Sequence, residues 1–153
     1  MPAGPPADAF THVCVDNTLI AVWHGDPTLD ALRVFGNELT HLADRNPAGI
    51  YILNVITEAT GMPDNAARAL LQSQFQAMRG RVTCAAIVLE KRGIMGSLSR
   101  AILTTLLTVT RRPFEMGIHD DRLEATRWLS RRAQAPQGDR LLRALNELSR
   151  LTA

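Results

Sequence analysis

The residues able to do chemistry are few and scattered. The four histidines, His12, His24, His41 and His119, lie in separate stretches, and none forms the i,i+3 or i,i+4 pair that would hold a metal on a helix. Cys14 and Cys84 each sit inside an apolar run, far apart in the chain. That is neither a disulfide framework nor a metal spacing, and it predicts buried, inert thiols in a reducing compartment. Cys84 in mid-run is a poor place for an exposed thiolate. Ser97 lacks the Gly-x-Ser-x-Gly setting of a nucleophile elbow. Asp120-Asp121 falls between a predicted strand and a predicted helix, where helix capping accounts for it. The expectation is a protein that is not an enzyme and carries neither metal nor cofactor.

One loop has the shape of an anion site. Glu90-Lys91-Arg92-Gly93-Ile94-Met95-Gly96-Ser97 joins an apolar run to a helical pattern. Backbone N–H groups at a helix start can receive an anion, with Lys91, Arg92 or Arg100 adding charge. The loop lacks the Gly-Lys-Ser/Thr ending of a P-loop and the spacing of a dinucleotide fingerprint. Two readings stand: a ligand site, or a tight turn permitted by Gly93 and Gly96 with Ser97 as cap.

These residues must be positioned by elements that hydrophobic periodicity places. Phe10–Val15 and Thr18–His24 read as a hairpin around Asp16-Asn17. Asp26 as N-cap and Pro27 at the first helical position open a helix, with Leu29, Leu32, Phe35, Leu39 and Leu42 in one stripe, closed by Asn46-Pro47. Ile50–Ile56 and Val82–Leu89 are continuous apolar runs, as in strands buried on both faces, and are predicted to be adjacent and central. A helix over roughly Asp64–Arg79 lies between them. A very apolar helix follows from about Gly96 to Thr110, then a strand over Phe114–His119 and a helix capped by Asp120 or Asp121 running to Ala133. Gln134–Gly138 is a linker to a last amphipathic helix, Asp139–Leu151. The order β-β-α-β-α-β-α-β-α plus an appended helix specifies an α/β fold with a mixed, mostly parallel sheet of four or five strands. The domain is expected over residues 10–133, after a disordered tail (1–9) rich in proline and alanine.

With 153 residues, 46% apolar and 21% charged, the chain has the composition of a single globular domain. Its net charge of +2 does not indicate nucleic acid or an anionic membrane, and Tyr51, Trp23 and Trp128 offer no stacking platform. All but Lys91 of the 17 basic residues are arginine, a bias that a GC-rich genome explains. From Arg122 onward the arginines outnumber the acids but are interleaved with leucines, as on the polar faces of amphipathic helices. The N-terminus lacks the features of a signal peptide, and Ile94–Val109 is too short and too polar to cross a bilayer. The chain is therefore expected in the cytoplasm.

The element order, with a few local residues, resembles the STAS group of anti-sigma-factor antagonists, and within it the divergent STAS-like or SEC14-like branch. The resemblance covers about residues 10–132. It implies a regulatory, partner-binding role and a key segment with an aspartate late in the third strand, then a short loop to an Asp-Ser-Ser-Gly-like start of the second helix, whose first serine is the phosphorylation switch. Here Asn54 occupies the late strand position, Asp64 matches the motif aspartate, and Asn65 stands where the serine would be. Without a hydroxyl at Asn65 the usual phosphoswitch cannot operate there; Thr57 and Thr60 lie earlier in the same loop.

The sequence thus leads to a non-enzymatic regulatory module of STAS-like type, docking a protein partner near Asn54–Asn65 and Gly93–Ser97. The alternative is a carrier of a small hydrophobic or lipid-like ligand. The Gly96–Thr110 helix has more apolar surface than one contact requires, which invites a homodimer, a ligand, or cover by the terminal helix. The terminal helix is short enough to need a packing partner, and the Gly96–Thr110 helix is the expected one.

Overall fold

A computed structural model of the chain describes residues 9–93, 96–98, 100–101, 104, 113–132 and 134–151. Five strands, β1 (Phe10–Val15), β2 (Thr18–Trp23), β3 (Ile50–Ile56), β4 (Val82–Leu89) and β5 (Glu115–His119), form one sheet in the order β1-β2-β3-β4-β5. The β1–β2 hairpin is antiparallel and every later pairing is parallel. Strands β3 and β4 are adjacent and neither is at an edge, as their continuous apolar character requires. The helices are α1 (Leu29–Arg45), α2 (Asn65–Ala77), α3 (Arg122–Ser130) and α4 (Gly138–Arg150). The helix expected over Gly96–Thr110 lies largely outside the described residues; 96–98, 100, 101 and 104 are helical. The disordered lead-in expected over 1–9 also falls outside them, except for Ala9, which is buried.

Short polar side chains set the helix starts. The Thr28 hydroxyl accepts from Ala31 N at 3.2 Å, so the cap of α1 is Thr28 and not the expected Asp26. The Asp26 carbonyl instead closes a tight turn by accepting from Thr28 N at 2.8 Å. Asp64 caps α2 and Asp121 caps α3 through Ala67 N and Glu124 N, at 2.8 and 2.7 Å.

Topology decides how the two faces are covered. The parallel strands add in one direction, so right-handed crossovers put α1 and α2 on the same face. There Leu32, Phe35 and Leu39 pack with Leu19, Trp23, Ile52 and Ile87. Neither α1 nor α2 reaches the other face, which presents Ile20, Val22, Leu53, Val55 and Val88. The last two helices close it: Ala125 and Leu129 of α3 and Leu141, Leu145 and Leu148 of α4 are buried against those strands. The terminal helix therefore packs its leucine stripe on the second sheet face and α3; the Gly96–Thr110 helix, its expected partner, lies largely outside the described residues. A sheet apolar on both sides needs two layers of cover, and α1 and α2 supply one. Among the described residues no helix is long and apolar enough to cross a membrane.

Both thiols are free, Cys84 buried and Cys14 partly so. Burial pushes the Cys84 thiol from an ordinary 9.0 up to about 11, against the opposing pull of the Arg132 guanidinium. Between those values the unfolded chain loses a proton that the folded chain keeps, so folding stability falls as pH rises from 9 towards 11. Urea midpoints measured across that window should drop more steeply for the natural protein than for Cys84→Ala; parallel curves would show the thiol uncoupled from folding.

Candidate functional site

The parallel strands β2 to β5 all finish at one end of the sheet, at Trp23, Ile56, Leu89 and His119. That end is where α/β folds gather loops and side chains for recognition, and the residues singled out in the sequence lie at or near it. Several of them serve the fold. The Trp23 carbonyl accepts from Thr57 N at 3.2 Å and from the hydroxyls of Thr57 and Thr60, both at 2.7 Å. The Trp23 indole N–H in turn donates to Asn54 Oδ1 at 3.3 Å. Trp23 also stacks on Phe10 with ring centroids 4.5 Å apart and meets Phe35 edge-on. Asn54, Thr57 and Thr60 thus clamp the loop after β3 to the end of β2, and Asp64 holds the start of α2. Asn65 is exposed.

The loop after β4 divides in the same way. Gly93 takes a left-handed φ of 68° in open space. A β-carbon on Gly96 would run into the Lys91 carbonyl oxygen, so this tight turn requires glycine. Lys91 Nζ donates to the Glu58 carbonyl at 3.3 Å, joining this loop to the one after β3. Arg100 forms an ion pair with Asp120. Two of the three cations expected to attract an anion are thus engaged within the fold, while Arg92 and Ser97 are exposed.

A second constellation stands where β5 runs into α3. His119 ends β5 with its side chain 7% exposed, and its Nδ1 lies 3.3 Å from Glu124 Oε1. Its Nε2 is enclosed and has no hydrogen-bond partner among the described residues. The Trp128 ring lies beside the imidazole, centroids 5.1 Å apart. The Arg132 guanidinium sits 4.0 Å from the centre of the indole, donates to the Trp128 carbonyl at 2.7 Å and pairs with Glu115. Room for this stack comes from Gly117, where a β-carbon would stand 2.9 Å from His119 Nε2 and 3.0 Å from Trp128 Cζ2.

Around that stack opens a cleft of about 340 Å³, lined by His119, Asp121, Leu123, Glu124, Arg127, Trp128 and Arg131. Leu123 is 44% exposed there. Glu124 orients the imidazole, but the nitrogen a general base would use is shut in beside Gly117. The cleft presents an aromatic ring, an exposed leucine, two arginines and carboxylates.

Sequence reasoning missed this cleft because its residues straddle a strand–helix junction. The His119–Glu124 separation matches neither helical nor strand periodicity. The available signal was Gly117, since a glycine inside a strand pattern marks close approach by another group. A glycine followed by His119, with Trp128 one helical segment later, is the trace the stack leaves in the chain.

Comparison with known protein families, with curated proteins and with solved structures finds no match for this chain.

Proposed function

We propose that the chain is a non-enzymatic regulatory module of the STAS-like type that binds a partner protein at the C-terminal end of its parallel strands. The observation that carries this reading is the composition of the α3 cleft. Tryptophan and arginine are side chains that anchor protein interfaces, and the cleft presents one Trp and two Arg. Asn65 at the start of α2 and Ser97 after β4 are also exposed. The parallel strands add in one direction without reversal, so the sheet lacks the crevice that small ligands occupy at a topological switch point. That favours a protein partner over a carried molecule.

Binding on this reading is not switched by phosphate in the manner of the resembled family. Asn65 has no hydroxyl, and the hydroxyls of Thr57 and Thr60 are held by the Trp23 carbonyl. The two free thiols suit the cytoplasm, where they stay reduced.

The test compares three tagged proteins in pull-downs from the native host. The natural chain and Asn37→Arg, a change on the exposed side of α1, should recover the same partner. The double variant Leu123→Glu/Arg131→Glu should recover at least ten-fold less while keeping the natural melting temperature. Equal recovery by all three removes the cleft from the interface. A co-purified apolar molecule in the native mass spectrum would instead favour the carrier reading.

A further inference from the structure

Among the described residues the hairpin strand β1 ends the sheet, and its outer edge is ready to pair. Its register with β2 runs without a shift from Phe10↔Trp23 to Val15↔Thr18, and His24 N donates to Ala9 O at 3.0 Å. Those two facts fix the phase of the ladder. Ala9, Thr11, Val13 and Val15 turn their backbone groups towards β2, while Phe10, His12 and Cys14 turn theirs outward. Natural proteins blunt such an edge with lysine, proline, a bulge or an inward charge. The strand Phe-Thr-His-Val-Cys-Val has none of these. By contrast β5, the other end strand, is shorter, carries Glu115 and follows Pro113. On β1, Val13 is also one of the few large apolar side chains left exposed among the described residues, at 36%.

We infer that β1 pairs antiparallel with β1 of a second copy of the chain, across a two-fold axis at His12. The edge is self-complementary in that register. Phe10 faces Cys14 of the other copy, His12 faces its counterpart, and Cys14 faces Phe10, so every outward N–H and C=O meets a partner and roughly six hydrogen bonds form. A slip of one residue would set outward groups against inward ones, and a slip of two would leave an end unpaired. Val13 then lies in a wide pair against Thr11 of the other copy, which covers it. On the α1 side, His12 Nε2 stands 3.5 Å from Glu38 Oε2. The axis therefore brings two imidazoles together, each beside a Glu38 carboxylate. A net charge of +2 per chain opposes the approach little.

The contact is small. A six-residue edge buries less than the roughly 800 Å² per partner of a stable interface, so the dimer is weak and dependent on concentration. It leaves the C-terminal end of the sheet free, and it stands or falls separately from the docking surface there.

Sedimentation of the full chain from about 10 to 500 µM tests it. The natural protein should pass from monomer to dimer within that range. His12→Pro removes an outward N–H that β2 does not use, so it should keep the natural circular dichroism and weaken dimerisation at least ten-fold. Should proline disturb the strand, hydrogen exchange on the natural chain decides. The His12 and Cys14 amides should gain protection as concentration rises, while Thr11 and Val13 stay protected throughout. A natural chain that remains monomeric at 500 µM, a His12→Pro variant that dimerises unchanged, or His12 and Cys14 amides indifferent to concentration would each overturn the inference.

Discussion

Deleting residues 134–153 should leave a chain that aggregates or fails to fold. The deletion removes Leu141, Leu145 and Leu148, all buried against the second sheet face. Burial of a leucine is worth about 1.5–3 kcal/mol, so the three together approach the ~5–15 kcal/mol that separates a folded domain from its unfolded chain. It also uncovers Ile20, Val22 and Leu53, which α4 and α3 keep from water. Polar tethers go as well: Arg140 pairs with Asp16 at the hairpin tip, and Arg122, held by Glu90 at 2.9 Å, donates to Ser149 at 2.6 Å. Size-exclusion chromatography and a thermal melt of the truncated chain read the outcome. Should it prove insoluble, Leu145→Ala in the full chain gives a graded version, with an expected loss of about 2–5 kcal/mol in urea. A truncated chain with monomeric elution and the natural melting temperature would mean that the strands hold without their second layer.

That result concerns the part of the fold the sequence could not supply. Periodicity finds elements because each element's apolar spacing is local. Ile50–Ile56 and Val82–Leu89 declared themselves as strands buried on both faces, and both are. Asp64 announced the start of α2 because capping needs only the next three residues. What packs on what is not local. The stripe of Leu141, Leu145 and Leu148 said that the last helix must be covered, and the excess apolar surface of Gly96–Thr110 made that helix the nearest candidate. The assembled sheet shows where the stripe goes: onto the face that α1 and α2 leave open.

The candidate site divides along the same line. Thr57 and Thr60 have the residue type of a switch, but their hydroxyls converge on a carbonyl from a strand more than thirty positions earlier. No local pattern records that contact. Gly96 was legible because a tight turn is a short-range demand. The His119–Trp128 stack was not, because it forms only when α3 folds back along β5.

Gly117→Val tests that stack and should cost about 1–3 kcal/mol, the usual penalty of overpacking. Any β-carbon at this position stands 2.9 Å from His119 Nε2 and 3.0 Å from Trp128 Cζ2, and valine adds two further methyls. Neither neighbour yields easily. The imidazole is tied to Glu124, and the indole lies beneath Arg132, which is itself anchored by Glu115. The ring must therefore swing towards the cleft, and its fluorescence should shift in a Trp23→Phe background, where Trp128 is the reporter. Gly117→Ala should fall between the natural chain and valine in both stability and emission. Partner recovery adds the functional readout. If the cleft is the docking site, Gly117→Val should lose binding at temperatures well below its own melting transition. A stable, spectrally unchanged valine variant would refute the close approach, and a destabilised one that binds its partner fully would place docking elsewhere on the surface.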